Sequence, residues 1–123
     1  MMDQPSMLEL VKAVRDFVEQ RAMPELKGHT AFHARVAANA LSIVARELEF
    51  GAASAEGERG RLAGLLGHDG ALIDLNRELC EAIRDGKLGL ETPGLVEHLE
   101  ITTREKVEID QPNYGGLKRF LKG

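Results

Sequence analysis

The sequence predicts an all-α, single-domain helical bundle, and three observations predict it. Apolar residues recur at the helical period along most of the chain. No segment shows the period-2 alternation of a half-buried strand. Helix start and stop signals punctuate the chain at helix-length intervals. The 123 residues suit one domain, since domains run to about 100–200 residues. The expected arrangement is about five helices around a central Ala-rich helix over residues 30–50, with a tail, flexible or docked, from about residue 112.

Ser6 and Glu9 fit a capping box, preceded by Pro5. Winding residues 7–22 as a helix puts Leu10, Val11, Val14, Phe17 and Val18 on one face, with Lys12, Asp16, Glu19 and Gln20 opposite. Pro24 and Gly28 mark a connector. The second helix runs from about Thr30, read as its N-cap, to Phe50. It is apolar on most sides, which predicts that other helices surround it. Glycines 51, 57, 60, 64, 67 and 70 crowd the next segment. Each interior glycine costs a helix about 0.5–1 kcal/mol, so a loop followed by a weak helix ending near residue 66 is expected. Asp69 is read as the N-cap of a helix over about 70–85, closed by Gly86, with Leu72, Leu75, Leu79, Ala82 and Ile83 on its inner face. The leucines of Lys87-Leu88-Gly89-Leu90 are expected to pack down. Thr92-Pro93 opens a last long helix to about Asp110, with Leu95, Val96, Leu99, Thr102, Thr103 and Val107 buried. Leu117, Phe120 and Leu121 suit a terminal helical turn.

Composition narrows the function classes. Hydrophobic residues make up 43% and charged residues 29%, a globular balance rather than a disordered one. A net charge of −4 argues against an electrostatic nucleic-acid footprint. One cysteine excludes an internal disulfide and a Cys-rich zinc site. No run approaches the ~20 apolar residues of a membrane span, and no signal-peptide pattern opens the chain. A cytoplasmic protein without cofactor, nucleic-acid or membrane partners is therefore expected.

Few residues suggest chemistry. His29 and His33 are four apart, a chelating spacing on one helical face, but no third ligand lies at suitable spacing, so no metal is expected. His33 also enters the apolar arc, where a core histidine paired to a carbonyl or carboxylate is the competing reading. Arg35, Asn39, Ser42 and Arg46 form a polar stripe on the otherwise apolar helix. With His33 they are the candidate ligand site, because Arg holds carboxylates and phosphates bidentately; a solvated or ion-paired stripe is the alternative. Asn76 falls within an apolar arc and is read as a tether for a neighbouring loop or helix end. Cys80 is read as a buried, inert thiol. No catalytic constellation emerges.

Three further segments are distinctive beside the run Phe32-His33-Ala34-Arg35-Val36-Ala37-Ala38-Asn39-Ala40-Leu41 and its continuation Ile43-Val44-Ala45-Arg46-Glu47-Leu48. They are Leu75-Asn76-Arg77-Glu78-Leu79-Cys80, Ile83-Arg84-Asp85-Gly86 and Thr92-Pro93-Gly94-Leu95. Together they resemble a small bacterial family of uncharacterised helical proteins, often encoded beside aminoglycoside-phosphotransferase-like kinases and acyl-CoA dehydrogenases. The resemblance extends from the first helix to Pro112-Asn113-Tyr114. It implies a metabolic neighbourhood and transfers no catalytic residue.

The functional expectation is a non-catalytic accessory or protein-binding subunit. Its partner would be itself, a phosphotransferase-like protein or an acyl-CoA dehydrogenase-like protein. Ile101, Tyr114, Leu117, Phe120 and Leu121 are the expected interface, most economically of a homodimer. The alternative is a small enzyme, or a protein binding an anionic small molecule such as an acyl-CoA or phosphate, through the polar stripe.

Overall fold

The computed structural model describes residues 4–123, all helix and connector. Five α-helices follow in order: α1 (Met7–Phe17), α2 (Gly28–Leu66), α3 (Leu72–Arg84), α4 (Leu95–Asp110) and α5 (Gly115–Lys122). The chain forms two compact units, one through Gly51 and one from Ala52 onward, and α2 belongs to both.

The start of α1 follows the sequence closely. Ser6 Oγ accepts the Glu9 N–H at 3.2 Å, and the Glu9 carboxylate accepts the Ser6 N–H at 3.5 Å. At its far end, the proline ring at Pro24 cannot continue a regular α-helix without meeting the carbonyl one turn back. The chain widens into a π turn over Val18–Ala22, where the Met23 N–H reaches the Val18 carbonyl, and then tightens into a 3-10 turn over Met23–Glu25.

Among the described residues of the first unit the buried positions are Ala38 and Ala45, each 3% exposed, and Gly51. Phe32, Val36, Val44, Leu48 and Phe50 of α2 remain exposed, as do Met7, Leu10, Val14 and Phe17 of α1. The expectation that this part of α2 is surrounded is thus corrected. Among its described residues the unit holds one other α-helix, too little cover for a helix apolar on most sides.

The second unit has a leucine core. Leu62, Leu75, Leu79 and Leu95 are buried, with Leu65, Leu66, Leu72 and Leu88 packed around them. Fully burying each such side chain stabilises by about 1.5–3 kcal/mol. Leu90 does not join them and stays exposed. Gly86, at φ 76°, ends α3 as expected. Its N–H bonds the Ile83 carbonyl at 3.2 Å, and the Lys87 N–H bonds Ala82 at 2.9 Å, the paired closure that a left-handed glycine permits. The α3 N-cap is Ala71 rather than Asp69. The α4 N-cap is Gly94, at φ 86°, rather than Thr92, whose hydroxyl accepts the Gly89 N–H at 2.9 Å and closes the preceding turn.

The largest difference lies at the start of the glycine-rich segment, where no loop intervenes: α2 runs on unbroken to Leu66, the end expected of the weak helix. Local propensity favours a break there, but the segment contributes Leu62, 0% exposed, to the core, and tertiary burial overrides propensity. Gly60 and Gly64 are exposed, and a Cβ at either meets nothing within 4 Å. Gly60→Ala and Gly64→Ala should therefore each stabilise the protein by about 0.5–1 kcal/mol. Urea unfolding midpoints check this, and destabilisation at both would show that the segment is not helical.

Candidate functional site

Ser54, Glu58 and Arg61 share one face of α2, and His98, Thr102 and Glu105 share one face of α4 (successive steps of three or four residues). These faces meet in a polar network inside the second unit. Arg61 Nε donates to His98 Nδ1 at 3.0 Å, and Arg61 Nη2 donates to Thr102 Oγ1 at 3.0 Å. Ser54 Oγ donates to Glu105 Oε1 at 3.1 Å, and that oxygen lies 3.9 Å from Arg61 Nη2. Glu58, 5% exposed, accepts from Asn76 Nδ2 of α3 at 3.1 Å and faces Lys106 Nζ at 3.8 Å. Asn76 is thus a tether, but what it holds is Glu58 in the interior of α2 rather than the loop or helix end expected of it. Among the described residues no buried side-chain nitrogen or oxygen lacks a partner.

The donor on Nδ1 makes His98 a neutral imidazole with its proton on Nε2. Burial, and after it the Arg61 guanidinium, push its pKa below the ordinary 6.5; Glu58 opposes this and Lys106 adds to it. The ring is 2% exposed, and the network fixes the orientation of α4 within the unit.

The opposite face of α4 carries Val96, Leu99, Thr103 and Val107. With Tyr114, Leu117 and Phe120 at α5 it lines an apolar cleft of about 390 Å³. Leu117 is buried there and pins α5, while Tyr114 and Phe120 stay about half exposed. Arg104, also lining the cleft, pairs with Glu108 at 3.3 Å. The expected burial of α4 is therefore corrected. Leu95 is buried in the core, whereas Val96 and Leu99 are exposed in the cleft. Of the expected interface residues, Ile101 is half-buried, Leu117 is part of the fold, and Tyr114, Phe120 and Leu121 are exposed.

The polar stripe lies elsewhere, in the first unit. Arg35 and Asn39 are exposed, and Ser42 and Arg46 half-buried. His33 is not a core histidine: it is exposed, edge-on to Phe32 with ring centroids 5.6 Å apart. Cys80 is exposed rather than buried, because α3 turns only the side bearing Leu75 and Leu79 into the core. Asp69 accepts the Gly70 N–H at 2.7 Å and pairs with Arg59, which also pairs with Glu56. Among the described residues, no three His, Cys, Asp or Glu side chains are grouped to hold a metal.

A surface pair titrates in the opposite sense to His98. The hydrogen bond from His68 to Glu78, at 2.7 Å, raises the His68 pKa above 6.5. That pair stabilises more as pH falls, and loses its contribution as pH rises through the raised value. For His98 the unfolded chain takes up the proton first, so stability falls as pH drops below 6.5. In a His68→Gln background the urea midpoint should fall between about pH 7.5 and 5.5. His98→Asn, which keeps an acceptor for Arg61, should flatten that slope. An unchanged slope would show that His98 is not held neutral.

Residues 24–114 match the model of a family described as a domain of unknown function, DUF6285. No curated protein and no solved structure matches the chain.

Proposed function

Because the chain belongs to the DUF6285 family, a domain of unknown function, its role is read from its own geometry, and we propose a protein-binding accessory subunit whose α4–α5 cleft receives an apolar segment of a partner. The observation that carries this reading is the cleft itself, apolar in its lining, with Val96, Leu99, Tyr114 and Phe120 exposed around a buried Leu117. Monomeric proteins seldom leave adjoining aromatic and aliphatic side chains open to water without a partner to cover them. Lys118, Arg119 and Lys122 give α5 a basic side next to its apolar one. A segment pairing apolar side chains with flanking carboxylates fits both.

The resemblance to bacterial proteins encoded beside phosphotransferase-like kinases and acyl-CoA dehydrogenases makes those two classes the first partners to test. A cytoplasmic location accords with such partners. Among the described residues no helix is long and apolar enough to cross a membrane. A second reading, binding of an acyl compound by its apolar chain, uses the cleft instead of the Arg35, Asn39, Ser42 and Arg46 stripe and draws on the cleft's apolar lining and volume of about 390 Å³, within the range of ligand pockets.

Calorimetric titration with a phosphotransferase-like kinase and an acyl-CoA dehydrogenase-like protein tests the proposal. Val96→Glu combined with Phe120→Glu should weaken binding at least about tenfold, a loss of about 1.4 kcal/mol, while the helical circular-dichroism signal is unchanged. Equal affinity of variant and wild type would overturn the cleft as the docking site. Binding of an acyl anion that the same variant abolishes, with neither protein bound, would favour the second reading.

A further inference from the structure

The exposed apolar surface of α2 is ordered in a way the cleft does not explain. Phe32, Val36, Ala40, Val44 and Leu48 form one i, i+4 row, with the four larger side chains 57%, 50%, 44% and 40% exposed. Rows of this kind are the ridges through which helices pack on one another. Their sizes run large, medium, small, medium, large, so the row reads nearly alike in both directions about Ala40. The polar residues inside the same arc obey the same symmetry: His33 and Glu47 are equidistant from Ala40, and both are exposed.

We propose that a second copy of this chain docks on this face, with the two α2 helices antiparallel about a two-fold axis at Ala40. An interface with two-fold symmetry must be self-complementary, residue against residue in both directions. In this register Val36 meets the partner's Val44, and Phe32 meets the partner's Leu48. His33 meets the partner's Glu47, an imidazole opposite a carboxylate. A parallel pairing would set Glu47 against the partner's Glu47 instead, and like charges at close quarters are unfavourable. Ala40, the smallest member, stands where the helices cross and lets the backbones approach.

The available area supports a stable pair. Taking full side-chain areas of about 150–250 Å² for the larger residues, the α2 row exposes roughly 350–400 Å². The exposed row of α1, Met7, Leu10, Val14 and Phe17 in the same unit, offers about as much again, and covering both rows would approach the ~800 Å² per partner of a standard interface. The α2 row alone falls short of that figure, so the dimer draws on α1 as well. This inference concerns residues other than those of the α4–α5 cleft and goes beyond the reading given above.

The test is the mass in solution and the register. Light scattering of the full chain at tens of micromolar should give a dimer. Val36→Glu with Val44→Glu should raise the dimer dissociation constant at least a hundredfold, and Val14→Glu about tenfold. These positions are exposed within one chain, so helical content should hold. In a Cys80→Ser background, Ala40→Cys should cross-link to itself under mild oxidation, because only a residue on the axis meets its own copy. Asn39→Cys, on the polar side, should not. His33→Glu should weaken the dimer and Glu47→Lys added to it should restore it. A monomeric wild type, or a dimer in which Ala40→Cys fails to cross-link, overturns the proposal. Either result leaves the cleft titration unaffected, so the two readings fail separately.

Discussion

Burial of one carboxylate organises the second unit. Glu58 lies on α2 next to Leu62, at 5% exposure, in a stretch that carries four interior glycines. A buried charge must be paired and hydrogen-bonded or it is expelled. Asn76 and Lys106 meet that requirement from α3 and α4, so both helices must lie against this turn of α2. Leaving either partner out strands the carboxylate, and removing one member of such a set costs more than the set contributes as a whole. The helicity of the segment follows from this requirement and from the burial of Leu62, not from its own propensity.

The same requirement determines what α4 shows to solvent. Arg61 holds His98 and Thr102, and Ser54 holds Glu105, which fixes the rotation of α4 about its axis. Once that polar side is turned inward, Val96, Leu99, Thr103 and Val107 face away, and α5 covers them only in part because Leu117 is its single buried anchor. The cleft is therefore a consequence of the polar network: a helix with one polar and one apolar side gives the hydrogen-bonded one to the interior. A neutral His98 suits this arrangement, since a charged imidazole would sit against Arg61 and Lys106 without compensation from water.

Much of the fold is legible in the sequence, for local reasons. The Ser6–Glu9 box, the Gly86 stop and the Leu75–Leu79 spacing are short-range signals, and each appears where it is read. The helical class follows from the apolar period alone. What fails depends on partners distant in sequence. The stretch after Gly51 reads as a loop before a weak helix because its stabilising contacts come from residues 76 to 106. Glu58, Arg61 and His98 go unnoticed because each alone looks like an ordinary charged or polar surface residue. The available hint is geometric: Ser54, Glu58 and Arg61 occupy the side of the helix next to Leu62, where a solvated helix would place apolar groups. Asn76 is noticed because it interrupts an otherwise apolar arc, and it leads to Glu58.

Encirclement of α2 over residues 30–50 is the instructive failure. A helix apolar on most of its circumference needs neighbours on several sides, and that inference from composition is sound. The neighbours it supposes are not all present in the first unit, whose described residues hold one other α-helix, α1. The alanines settle how close a neighbour comes: Ala38 and Ala45 take the buried side within the chain, and Ala40 opens a second close approach on the exposed side. Two sides built for close approach, one filled and one open, make the exposed ridge the remainder of a packing rule that the chain satisfies only in part. An apolar stripe with no such order would mark an indifferent surface. A ridge whose side-chain sizes and polar interruptions are symmetric about one small residue is instead what the proposed two-fold pairing requires.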